Sequence, residues 1–239
     1  MSLVLNPYIL GGAGPSSIAW HTAFWAADPA WSNPGDGNAV SSWRDFSGNN
    51  RTASQGTGSK QPIYRAAASA VNNQPAVQFD GSDDALATAS FTTLTQTLSV
   101  VAVFNTTVTA TGKFVWDGID GTNRAALWSN YSGTQVYDAF AGSDGITSTT
   151  WVNALQMIRV TFAGASTVVE KNGTSLGTVS AGTGGLAGVT LGCRFSNLGS
   201  NTMAGHIAFL GVYNGNVASD SNWSSFKSWV ASYYGLTIA

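Results

Sequence analysis

Groups that do chemistry are scarce in this chain: it has two histidines, one cysteine and, in Glu170, a single glutamate. A lone cysteine excludes an intrachain disulfide, and Cys193 lies in an apolar stretch where a buried, inert thiol is expected. Charged residues make up only 9% of the 239 residues, yet no run of about 18 apolar residues exists to cross a membrane as a helix. The ten lysines and arginines are scattered and the net charge is −2, so the basic footprint that a phosphate backbone requires is missing and nucleic acid is excluded as a partner. Met1 to Leu10 carry no lysine or arginine, and Asn6-Pro7 interrupts their apolar run. This is a poor secretory signal, and the expectation is a chain made in a cytoplasm and not exported by the general route. A surface rich in Ala, Gly, Ser and Thr with few charges suits a protein packed against others.

What is present is β-structure. Short apolar segments with period-two alternation or β-branched runs recur between Gly, Asn, Asp and Ser, the pattern of a sandwich or barrel. They are Ala76 to Phe79, Leu98 to Phe104, Met157 to Phe162, Val168 to Lys171, Val189 to Cys193 and Ile207 to Tyr213. Leu98 to Phe104 is apolar at nearly every position, which predicts a central strand covered on both faces. Asn172-Gly173 between two such segments predicts a type I′ hairpin. Near the end, Trp223, Phe226, Trp229, Val230 and Tyr233 fall on one helical stripe. Ser219-Asp220-Ser221 precede that stripe as N-cap candidates, and Gly235 follows as a C′ residue. The length suits one domain. Residues 1–15, ending in Gly11-Gly12-Ala13-Gly14-Pro15, read as an N-terminal arm and residues 16–239 as the sandwich.

Several segments, in order and spacing, resemble a known family. They are Trp25-Ala26-Ala27-Asp28-Pro29, Val40 to Asn49 around Trp43-Arg44-Asp45, Gln61-Pro62-Ile63-Tyr64, and Pro75 to Leu86 around Phe79-Asp80-Gly81. Later pieces agree: Arg159 to Phe162 leading into Lys171-Asn172-Gly173, Gly205 to Phe209 leading into Val212-Tyr213-Asn214, and Trp229 with Tyr233 to Leu236. Over roughly residues 18–237 the chain resembles laminin G-like domains of bacterial and bacteriophage type, within the concanavalin A-like lectin/glucanase superfamily. The resemblance implies an all-β, two-sheet antiparallel jelly-roll sandwich with one short C-terminal helix. Its members bind sugars, proteins or calcium, and a minority cleave polysaccharides. The residues themselves read as structural: Trp43 and Phe79 as core, Asp45, Ser47-Gly48 and Asp80-Gly81 as turn formers.

The glucanase branch works with two glutamates and an aspartate on one strand, and Glu170 has no acidic residue within ten positions. That mechanism, in which one carboxylate attacks and another donates a proton, lacks its parts here. Asp83-Asp84 and Asp117 with Asp120 are the acidic clusters, and neighbouring strand residues face opposite ways. His21 and His206 match no triad or metal-ligand spacing. No enzyme is expected.

For binding, Trp116, Asp117, Arg124, Trp128, Asn130 and Tyr131 have the composition of a sugar platform, aromatic rings flanked by groups that reach hydroxyls. Asp117, Asp120 and Asn123 offer oxygens at short spacing for a structural calcium, as do Asp80, Asp83 and Asp84. No other cofactor is expected. The leading expectation is a non-enzymatic bacteriophage virion protein, a capsid decoration or tail-fibre adhesin, located in the virion. Its expected partners are other virion proteins, further copies of itself or host surface glycans, with no membrane insertion. The alternatives are a free carbohydrate-binding, lectin-like module and a polysaccharide hydrolase using Asp for Glu.

Overall fold

The computed structural model describes residues 14–107, 110–129, 135–195 and 201–239. The expected arm falls almost wholly outside them. In chain order the strands are β1 (Thr22–Trp25), β2 (Ser42–Trp43), β3 (Ala53–Ser54), β4 (Ile63–Ala68), β5 (Gln74–Asp80), β6 (Leu86–Ala87), β7 (Leu98–Thr106) and β8 (Phe114–Asp117). They continue as β9 (Ala126–Ser129), β10 (Val136–Phe140), β11 (Asp144–Thr150), β12 (Gln156–Phe162), β13 (Thr167–Lys171), β14 (Thr174–Val179), β15 (Thr190–Leu191) and β16 (Ala204–Tyr213). The helix α1 (Trp223–Tyr234) follows.

These strands build the expected two-sheet antiparallel sandwich. The first sheet runs β14-β13-β12-β7-β16-β5-β4, with β1 also paired to β16. β5 pairs with the start of β16 (His206↔Gln78) and β1 with its later half (Trp25↔Phe209). The second sheet runs β11-β10-β9-β8-β15-β6-β3-β2.

Two apolar layers explain the sequence pattern. Between the sheets lie Trp43, Phe79, Phe104, Trp116, Tyr137 and Phe162, all 1% exposed or less. Outside the first sheet, α1 lays Trp223, Phe226, Trp229 and Val230 against Trp20, Trp25, Val101, Val103, Met157 and Phe209. Central β7 feeds both layers, with Val100, Ala102 and Phe104 facing inward and Val101 and Val103 facing the helix. That is why its sequence shows no polar alternation.

The local expectations hold with small corrections. Asn172 and Gly173 take φ of +49° and +80° and join β13 to β14, as a type I′ turn requires. Gly235 closes the helix at φ +67°. The helix N-cap is Asn222 rather than Ser219, Asp220 or Ser221, and Asp220 serves by accepting the Asn222 amide. Tyr234 is the fully buried member of the final tyrosine pair, whereas Tyr233 packs only in part. Of Val189 to Cys193, only Thr190 and Leu191 pair as a strand.

Asp45 is a turn hub, accepting the amides of Ala23, Ser47 and Arg51. Glu170 pairs across strands with Arg159, which also reaches Thr161 and Asn216. The single glutamate is therefore engaged in the first sheet as an ion-pair partner.

Candidate functional site

The two sheets differ in what covers their outsides. α1 and its aromatic stripe cover the outside of the first. On the outside of the second, the register pairs Phe114↔Trp128, Trp128↔Asp138 and Asp138↔Ile146 set four side chains in one row across β8, β9, β10 and β11. Their chain neighbours Leu127, Tyr137 and Ala139 belong to the core, so strand alternation turns the row outward.

Phe114 and Asp138 are buried in this row, whereas Trp128 is half-buried and Ile146 is 46% exposed. Trp128 packs on Phe114 with ring centroids 4.7 Å apart and a tilt of 33°. Phe140, two residues beyond Asp138 on β10, is also half-buried, and its partner on β11 is the exposed Asp144. Ser148 and Thr150 continue the exposed positions of β11. The arrangement is a broad apolar surface, Trp128, Phe140 and Ile146, edged by hydroxyl and carboxylate groups.

An ion pair props this surface from the side. Arg124 donates from Nε and Nη2 to both oxygens of Asp117, at 2.9 and 2.8 Å, and the pair is almost completely buried. The guanidinium carbon stands 4.4 Å from the ring centre of Phe140, 5.1 Å from Phe195 and 5.8 Å from Phe114. Asp117 further accepts the amides of Gly118 and Phe195. Burial is the main influence on its pKa and pushes it up, opposed by Arg124 and these amides.

This geometry revises the expected site. Trp116 lies in the core with its indole N–H donating to the Ala125 carbonyl at 2.8 Å, so it offers a sugar no face. Asp117 and Arg124 are buried against each other, with Asp117 also accepting two backbone amides, and they position rings instead of gripping a ligand. Trp128 alone of the described platform residues has a partly open ring; Asn130 and Tyr131 lie outside the described residues. Phe140 and Ile146 were not expected. The alternation of Asp144, Ile146, Ser148 and Thr150 was the available sequence signal for an outward face on β11.

The calcium trio is also rearranged. Asp120 takes the amides of Thr122 and Asn123 in a tight turn, while Asp117 is held by Arg124. Among the described residues, the acidic group that does converge is Asp80, Asp83 and Asp84, with ligand oxygens within 4.8 Å of one another. Asp80 there accepts the amides of Ser82 and Asp83, the turn role expected of it.

Burial, with smaller contributions from the Asp80 and Asp83 charges, raises Asp84 to about 6 although the Asp80 amide favours its carboxylate. Because the folded state holds this proton more tightly than the unfolded chain, its stabilising contribution is full below about pH 4 and fades as pH rises through about 6. Asp84→Asn is therefore expected to raise the melting temperature by a few degrees at pH 7 and to leave it unchanged at pH 4. Scanning calorimetry at the two pH values checks this, and an equal shift at both would refute it.

Neither histidine reaches this face. His21 stands edge-on to Phe91 at 4.9 Å, its pKa lowered by burial and then by Arg51. His206, on β16 of the first sheet, is lowered by burial and then by Arg65.

No family model matches the chain, and no curated protein matches it. Solved structures do. The chain is similar to domain 4 of a GH43 extracellular arabinanase from Geobacillus stearothermophilus, solved with arabinotriose. The two share 16% identity, with 82% of this chain and 86% of that one covered and a TM-score of 0.52. It is similar to Trypanosoma rangeli sialidase in complex with sialic acid at 14% identity, covering 93% of this chain but 34% of the sialidase, with a TM-score of 0.57. A GH54 α-L-arabinofuranosidase gives 12% identity, coverage of 82% and 51%, and a TM-score of 0.58. These likenesses show the fold. It is a two-sheet β-sandwich, and the finer likeness to bacteriophage laminin G-like domains has no matching model behind it. The same finding corrects the expectation of a phage virion component: the neighbours belong to proteins named for sugar chemistry, and the carbohydrate-binding alternative fits them better.

Proposed function

We propose that this chain is a non-catalytic carbohydrate-binding domain whose ligand lies on the outer face of the second sheet, over Trp128. The observation that carries this reading is the half-buried Trp128, set in a row of outward side chains on the sheet face opposite the one that α1 covers. A sugar ring presents one apolar face and a rim of hydroxyls, and it pairs with an aromatic ring bordered by polar side chains. Phe140 and Ile146 extend the apolar part, and Asp144 and Ser148 supply polar borders.

Three of the carboxylates are held in ion pairs, which supports binding over turnover at those positions. Glu170 pairs with Arg159, Asp117 with Arg124, and Asp28 with Arg44. The arabinanase domain and the sialidase were solved with arabinotriose and sialic acid, so glycans are the ligand class to try first.

Trp128→Ala is expected to weaken glycan binding by about tenfold or more while leaving the melting temperature within a few degrees of the parent. A glycan array followed by isothermal titration with the best neutral oligosaccharide checks it. Binding that survives the substitution removes this face from consideration, and the absence of binding to any glycan removes the function.

A further inference from the structure

One apolar side chain of this surface is open to solvent and belongs to neither apolar layer. Ile146 is 46% exposed, and Val152, at 37%, is the other large hydrophobic so exposed among the described residues. Ile146 sits opposite Asp138 on β11, and Trp128 sits opposite the same Asp138 on β9. Two apolar stations thus flank one buried carboxylate. Adjacent strands lie about 4.8 Å apart, so the stations are separated by two spacings, roughly 10 Å. One sugar ring on Trp128 does not reach Ile146.

Charge narrows the ligand further. Arg124 is paired with Asp117, and Asp144 is exposed beside Phe140. Arg194 lies beyond β15, near Phe195, on the far side of β8 from Ile146. Asp144 is the one charged residue of β11 and is exposed, so a carboxylated sugar is disfavoured beside it.

Resting on the reading of Trp128 as the sugar platform, we propose that Ile146 forms a second subsite, so that the face takes a neutral oligosaccharide of two or more units laid across the strands. Trp128 holds one ring and Ile146 the apolar side of another, with Ser148 and Asp144 placed along β11 to meet hydroxyls. A single sugar engages only the first station.

The test is titration calorimetry of the intact chain with neutral sugars of one to four units in the arabinose, xylose and glucose series, alongside sialyllactose. In the parent, affinity for the bound series is expected to rise about tenfold between one and three units. Ile146→Ser should remove that rise, and Ile146→Trp should steepen it. Single sugars binding as tightly as longer ones, sialyllactose binding most tightly, or Ile146→Ser weakening all lengths alike would each overturn the second subsite. Provided that binding still depended on Trp128, those outcomes would leave the platform standing. Binding indifferent to Trp128→Ala, or no binding at all, would defeat the platform itself and the subsite with it.

Discussion

Asp117→Ala is expected to cost about 3–5 kcal/mol of folding stability, a large part of what a domain of this size possesses. The side chain has no exposure, and its loss strands the Arg124 guanidinium in a buried site with its two strongest hydrogen bonds gone. A buried charge without its partner loses its solvation and gains nothing in return. The amides of Gly118 and Phe195 lose their acceptor as well. Removing both charges is a different matter. The double variant Asp117→Leu/Arg124→Met is expected to recover at least half of the loss, because apolar groups of similar size need no partner. Urea unfolding checks both through the midpoint at constant slope. A single variant within about 0.5 kcal/mol of the parent would show that the pair is not the prop we take it to be.

Phe226→Ala is expected to be of similar size, about 3–5 kcal/mol, by a different route. Phe226 is fully buried where the helix meets the first sheet. Its ring lies 5.5 Å from Trp20, 5.3 Å from Phe209, 5.4 Å from Trp223 and 5.7 Å from Trp229. Truncation leaves a cavity bounded by rings that cannot collapse into it, since each is held by other neighbours. The damage is confined to the layer away from the candidate glycan face. The variant should accordingly lose melting temperature and near-ultraviolet ellipticity, yet bind any Trp128-dependent glycan with parental affinity below its transition. Loss of glycan binding with an intact melting curve would contradict this division of the molecule.

The fold was legible because its signals are local and repeated. The unbroken apolar run at Leu98 to Phe104 marks a strand packed on both sides, and Asn172-Gly173 permits the left-handed turn that its hairpin needs. The aromatic stripe of α1 repeats at helical spacing. The candidate site was only half legible. Strict alternation from Phe114 would set Trp116 on the same face, where it reads as platform. The register shifts between them, so that Phe114 opposes Trp128 outside and Trp116 opposes Leu127 inside. A bulge depends on the pairing partner, and no composition rule announces it. Ile146 was missed because β11, Asp-Gly-Ile-Thr-Ser-Thr-Thr, has too few apolar residues to stand out as a strand until β10 pairs with it. Asp117 was taken for a ligand because proximity to Arg124 in sequence does not reveal that the two side chains close on each other.

The extra residue at Val115 also decides where the tip of β8 points. Val115 and Trp116 both belong to the interior, so counting resumes with Asp117 aimed outward at Arg124. Were the pairing regular there, with the same residues and no bulge, strict alternation from Phe114 would turn Trp116 outward and thrust the carboxylate between the sheets, away from Arg124. The guanidinium would then lose its anchor, and Phe140 and Phe195 the post around which they gather. One irregular step in the pairing of β8 with β9, silent in composition and invisible to periodicity, thus sets the orientation on which the outward surface depends.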